Sequence, residues 1–86
     1  MSRRFRVNTP GPSFTIGART LEAAAAAMVH RFPIEERHAK TREHRVKYVT
    51  TNGVRYAYVH VVTRRTGRVV TGCVIYDDAA RETTPS

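Results

Sequence analysis

The chain has 86 residues, 41% of them hydrophobic, which is enough for one small domain with a modest core. Fifteen Lys and Arg against seven Asp and Glu leave a formal charge of +8. That excess points toward nucleic acid or an acidic protein surface as partner. The single cysteine, Cys73, excludes an internal disulfide, and no apolar run approaches the roughly 18 residues of a membrane span.

The N-terminal "MSRRFRVNTPGP" carries basic residues but no apolar centre of a signal peptide, so a soluble cytoplasmic protein without a membrane partner is expected. "RFRVN" alternates, with Phe5 and Val7 on one side, and "SFTIG" repeats the pattern with Phe14 and Ile16. Residues 9–12, "TPGP", cannot continue a strand ladder, which leaves two short strands or one broken edge strand.

"TLEAAAAAMVHRF" reads as an amphipathic helix of about three turns. Thr20 can cap its start, Glu22 complements the positive end, five alanines favour the helix, and Pro33 stops it. Leu21, Ala25, Met28 and Phe32 share its apolar face, and the alanines allow close approach to a sheet. Residues 33–45 are charged throughout and read mainly as a solvated connection, with room for one further helical turn.

From Val46 onward the chain turns to strand. "RVKYVT" precedes Asn52-Gly53, a strong hairpin signal because both residues tolerate positive φ. "VRYAYVHVV" follows, then a tight turn closed by Thr66-Gly67, then "VVTGCVIY". Residues 78–86 lack large apolar side chains and are expected to fray, leaving an ordered core over about 4–77. The resulting order is β(β)-α-β-β-β, an α+β fold with an antiparallel sheet of four to five strands and one helix on one face.

Along the strand after Asn52-Gly53, Arg55, Ala57, Val59, Val61 and Thr63 point one way and Val54, Tyr56, Tyr58, His60 and Val62 the other. A two-residue turn sets Tyr56 opposite Val49, Tyr58 opposite Lys47 and Val59 opposite Val46. The aliphatic set suits a close-packed helix and is read as core, with Tyr56, Tyr58 and His60 on an open face. The competing assignment has the tyrosines filling space above the alanine-rich helix, and it would abolish that face.

Enzyme chemistry is not expected, because no nucleophile-base pair, Gly-rich phosphate loop or zinc-protease helix is present. No metal or cofactor is expected either: His30, His38, His44 and His60 lack the paired spacing of a metal site, and Cys73 lies in an apolar run as a small hydrophobe. What stands out is basic and aromatic material together: Arg45, Lys47, Tyr56, Tyr58, His60, Arg64, Arg65 and Arg68. Cations serve phosphates and flat rings serve bases. The three arginines of "VTRRTGRVV" are expected to crowd at one end of the sheet, where their repulsion gives no benefit to folding.

The succession of an "SFTI" strand, "GARTLEAAAAAMVHRF" and a meander containing "NGVRYAYVH" resembles, in element order over residues 5–76, the small phage-encoded anti-CRISPR proteins that inhibit type I systems. The resemblance implies a non-enzymatic inhibitor, monomer or homodimer, acting in the host cytoplasm. It would bind a subunit of a Cascade-type RNA-guided complex and block target DNA binding or nuclease recruitment. It carries over no functional residue. Many such inhibitors are acidic and imitate DNA, which a +8 chain cannot do. The alternative is a basic module binding DNA or RNA directly, in a regulatory or architectural role.

Overall fold

The prolines of the first turn remove backbone donors just where the two opening strands must reverse, and the Thr9 side chain takes over their work. The Thr9 hydroxyl accepts from Gly11 N at 3.0 Å and donates to Pro12 O at 3.1 Å. In the computed structural model, which describes the backbone of residues 2–83 and the side chains of 2–80, β1 (Arg3–Asn8) and β2 (Phe14–Ala18) form an antiparallel hairpin around this turn. Its register pairs Phe5 with Ile16 and Val7 with Phe14, so the four apolar residues share one face.

The helix α1 (Leu21–Arg31) starts where Thr20, in extended conformation, accepts at Oγ1 from Ala23 N at 3.1 Å. Leu21, Ala24, Ala25 and Met28 are buried; of the expected apolar face, Phe32 falls just past the helix end as its C-cap and packs half-buried against the core, and Ala24 is added. Beyond Pro33 the chain makes one 3-10 turn, Glu36–His38, and then enters β3 (Arg42–Thr51). Residues 42–45 are therefore strand rather than connection. They pair with β4 (Val54–Thr63) as far as Arg42 opposite Thr63, and the His44 Nε2–H donates to Phe32 O at 2.5 Å, tying β3 to the end of α1. Their strand state comes from a partner long enough to pair with them, not from hydrophobic patterning.

Asn52 and Gly53 both have positive φ, 52° and 77°, as a two-residue hairpin turn requires. After β4 comes β5 (Val69–Asp77), and the sheet order is β2-β1-β5-β4-β3, antiparallel throughout. The chain thus crosses from one sheet edge to the other through α1, which packs on β2, β4 and β5. Where the sequence suggests an unstructured tail, a short helix α2 (Asp78–Thr83) begins, with Asp77 Oδ1 accepting from Ala79 N at 3.0 Å. Residues 84–86 of that expected tail lie outside the described residues.

The core lies between α1 and one sheet face. Phe5, Val7, Ala57, Val59, Cys73 and Ile75 meet Leu21, Ala24, Ala25 and Met28, and among the described residues no polar or charged residue is buried. The small alanines bring the helix close, and Met28, fully enclosed, fills the remaining space. The aliphatic side of β4 is therefore the core side, and the tyrosines stand on the opposite, open face. Beyond the helix, at the β3 edge, Val46 and Tyr48 remain 38% and 39% exposed. No helix among the described residues is long and apolar enough to cross a membrane.

Candidate nucleic-acid interface

The open face is built by alternation and register alone. In β4 the residues between Ala57, Val59 and Val61 are Tyr58 and His60, with Tyr56 before them. In β5 the residues alternating with Cys73 and Ile75 are Gly72, Val74 and Tyr76. Strand pairing then aligns these side chains into rows across the sheet. One row runs Arg6, Tyr76, Tyr56, Val49; the next runs Asn8, Val74, Tyr58, Lys47; a third runs Gly72, His60, Arg45.

Rings sit at the centre of these rows and cations toward their ends. Tyr56 and Tyr76 have ring centroids 5.4 Å apart and Tyr58 and His60 5.9 Å apart, both pairs tilted at 52°. All four are half-buried, held by neighbours yet open to one side. On the β3 side stand Lys47, without an ion-pair partner among the described residues, and Arg45, whose Nη2 lies 3.6 Å from Glu43 Oε2. On the β1 side stand Arg4 and Arg6, the latter 3.6 Å from Asp78 Oδ1.

Two glycines shape one end of this face. Gly72 faces His60 across the ladder, and a Cβ there would lie 2.5 Å from His60 Cδ2, so the imidazole occupies the space a side chain would fill. Gly67, at φ 72°, lies where a Cβ would be 3.4 Å from Arg45 Nη1. Arg45 therefore reaches from β3 toward the tip of the β4–β5 loop. Between these features lies a depression of about 440 Å³ walled by Arg45, Lys47, Tyr58, His60, Val62 and Val69.

Five of the eight residues singled out in the sequence, Arg45, Lys47, Tyr56, Tyr58 and His60, come together on this face. Arg64 does not. Its Nε donates to Arg42 O at 3.1 Å and its Nη2 to Ala39 O at 3.4 Å, while its backbone N–H meets Thr41 O at 2.8 Å. It is a fastener between the loop and the segment entering β3, so the expectation that the three arginines give folding no benefit is corrected for Arg64. Arg65 and Arg68 are exposed at the tip, and among the described residues their side chains have no hydrogen-bond or ion-pair partner. The turn is also longer than Thr66-Gly67. Thr63 N bonds Arg68 O at 2.9 Å, Gly67 N bonds Thr63 O at 2.8 Å, and the Thr63 and Thr66 hydroxyls bond each other. A bulge follows in β5, where Val61 pairs Thr71 and Val62 pairs Val69, leaving Val70 as the extra residue.

Tyr76, Arg4 and Arg6 escaped the sequence reading. Counting alternation on from Cys73 and Ile75 could have found Tyr76, but Arg6 joins the rows only through the β1–β5 pairing, which has no local signal.

Elsewhere the chemistry is quieter. Another recess, about 610 Å³ beside the start of α1, is lined by both signs of charge, with Arg3 3.8 Å from Asp77 and Arg55 3.1 Å from Glu22. Backbone hydrogen bonding at the helix start, aided by Arg55, holds the Glu22 carboxyl below its ordinary range. Arg55 also lies over the Tyr48 ring at 5.0 Å, on the helix side of the sheet. Burial in the core pushes the Cys73 thiol up to about 11, the direction opposite to an activated nucleophile. The four histidines stand on separate elements, and among the described residues no group of three or more His, Cys, Asp or Glu is placed to share a metal ion.

No protein-family model, no curated protein and no solved structure matches the chain, so its geometry is the ground on which function has to be read.

Proposed function

We propose that this chain is a small, non-enzymatic, cytoplasmic nucleic-acid-binding protein that works through the open face of its sheet. The observation that carries the proposal is the sorting of side chains. Ala57, Val59, Cys73 and Ile75 of β4 and β5 go to the helix, while Tyr56, Tyr58, Tyr76 and His60 lie opposite it with Val62 and Val74 between them and Arg4, Arg6, Arg45 and Lys47 around them. A monomer has no folding reason to place rings and cations together on its solvent side, where like charges repel and half-buried rings forgo part of their transfer energy. Phosphates neutralise such cations and bases stack on such rings.

The inhibitor reading implied by the anti-CRISPR resemblance would use the same basic face against an acidic surface of a type I RNA-guided complex. One titration separates the two. Purified, nuclease-treated protein is titrated against fluorescein-labelled oligonucleotides, read by anisotropy. Dissociation constants in the micromolar range or below at low salt, lost when Lys47 and Arg45 are both changed to Glu, are the expected result. Failure to reach the roughly 10⁻⁴ M typical of the weakest non-specific binders would overturn the nucleic-acid reading. Co-purification with a Cascade-type subunit would then support the inhibitor.

A further inference from the structure

We infer that the nucleic acid taken by this face is a single strand, with one unstacked base seated in the depression beside Tyr58 and His60 and its backbone running over Lys47 and Arg45. The inference rests on the nucleic-acid reading above and names the substrate class of that site.

Spacing is the first ground. Tyr56 and Tyr58 are alternate residues of one strand, so their attachment points lie about 6.7 Å apart along the sheet. That is about twice the 3.4 Å rise per base in a duplex strand. Rings so spaced cannot follow a continuous base stack, but they match bases that have come apart and lie separately on a platform.

Shape is the second. Duplex bases show only their edges, through grooves that admit a helix or a two-stranded ribbon. The rings here lie on β4 and β5, inside a five-stranded sheet with neighbours on both sides, and cannot enter such a groove. A duplex resting on this face would touch it with phosphates alone and leave the tyrosines idle.

The depression gives the third. Its volume of about 440 Å³ falls in the range of small-molecule sites, and its walls combine the apolar Val62 and Val69 with the rings of Tyr58 and His60 and the donors of Arg45 and Lys47. Gly72 makes that arrangement available, because the absent side chain lets the His60 ring settle against β5. Arg45, turned toward Gly67, closes one end and leaves Lys47, without an ion-pair partner among the described residues, as the cation beside Tyr58.

The test uses the full chain and three labelled probes: an oligothymidine of about 12 nucleotides, within the site-size range of single-strand binders, a blunt duplex of the same length, and the single strand with its bases removed at alternate positions. An oligouridine of equal length shows whether the strand is DNA or RNA. Single strand is expected to bind at least about tenfold more tightly than duplex at about 0.15 M salt. Tyr58→Leu should weaken binding to the intact single strand by about tenfold or more, leave the abasic strand nearly unaffected, and be rescued by Tyr58→Phe. Circular dichroism melts show whether each variant is folded. Equal affinity for duplex and single strand, together with an inert Tyr58→Leu and a damaging Lys47→Glu, would refute the single-strand inference while sustaining the nucleic-acid reading. Absence of binding to every probe removes both.

Discussion

Replacing Gly72 by alanine adds only one carbon and two hydrogens to the chain, yet the geometry makes it one of the most damaging small changes available. The new Cβ would sit inside van der Waals contact with the Val59 carbonyl oxygen, 2.5 Å from His60 Cδ2 and 2.9 Å from His60 Cα. The imidazole can rotate away, but the other two atoms are backbone of β4, a strand paired with β3 on one side and β5 on the other. Relief therefore requires β4 and β5 to separate where Val59 and Cys73 face the core. Overpacking costs about 1–3 kcal/mol, and the upper end applies when backbone has to give. At roughly 0.05–0.15 kcal/mol per residue the whole domain holds only on the order of 4–13 kcal/mol, so a large share would be lost. A melting temperature lower by about 12–24 °C is expected at the upper end of that cost, since each kcal/mol moves a domain of this size by about 4–8 °C. Gly17→Ala is the matched control. Its nearest heavy atom would be Arg3 O at an ordinary 3.9 Å, so stability should hold or rise by up to about 1 kcal/mol. Thermal and urea melts of both variants decide the matter. A Gly72→Ala protein within about 0.5 kcal/mol of wild type, the range of ordinary surface changes, would refute the close approach of β4 and β5 at this position.

Arg64→Ser should lower stability by about 1 kcal/mol through lost donation to Arg42 O and Ala39 O, discounted for exposure, whereas Arg65→Ser with Arg68→Ser should leave the melt unchanged; equal melts for all three would return Arg64 to the solvated tip. Burial raises the Cys73 thiol from 9.0 to about 11, so the unfolded chain releases this proton first as pH rises. The stability difference between wild type and Cys73→Ala should thus be constant below about pH 9 and fall against wild type by about 1.4 kcal/mol per unit between about 9 and 11. Urea titrations across that range that show a fixed difference would contradict the buried, neutral thiol.

How much of this was legible in the sequence depended on how far each feature reaches along the chain. Asn52-Gly53 admits little but a two-residue turn, and a turn of known length sets every pair in the β3–β4 ladder, so Tyr56 opposite Val49 and Tyr58 opposite Lys47 could be derived locally. The core side of β4 followed from the same alternation. Arg64 was misread because its carbonyl partners lie more than 20 residues upstream, and an exposed arginine in a turn has no local mark that tells a fastener from a free charge. Thr66-Gly67 looked like a two-residue turn because Gly67 does adopt positive φ. The loop is instead closed by Thr63, whose hydroxyl and backbone hold both ends, and the mismatch is absorbed by the bulge at Val70. The pairing of β1 with β5 joins the two ends of the chain, and it alone brings Arg6 beside Tyr76.

The charge of the chain is sorted as sharply as its hydrophobic residues, and that sorting bears on how binding should respond to salt. Glu22, Glu35, Glu43, Asp77 and Asp78 each sit within 4 Å of an arginine, Arg31 lies over the Phe14 ring, and Arg64 is spent on carbonyls. Most of these contacts are on the helix side, at the sheet ends or in the connection. The open face keeps Arg4, Arg6, Arg45 and Lys47, with Glu43 and Asp78 as neighbours of Arg45 and Arg6. If the strand is held by that face, about four phosphates are neutralised, and log affinity should fall against log salt with a slope of about 3 at roughly 0.7 per phosphate. If the chain instead coats nucleic acid with all 15 of its Lys and Arg, the slope approaches about 10. Lys47→Ala, which removes an open-face cation of β3 that has no ion-pair partner among the described residues, should lower a slope of 3 by about 0.7 and should barely alter a slope of 10 in relative terms. A wild-type slope near 10 would mean that bulk charge, not the tyrosine face, makes the contact.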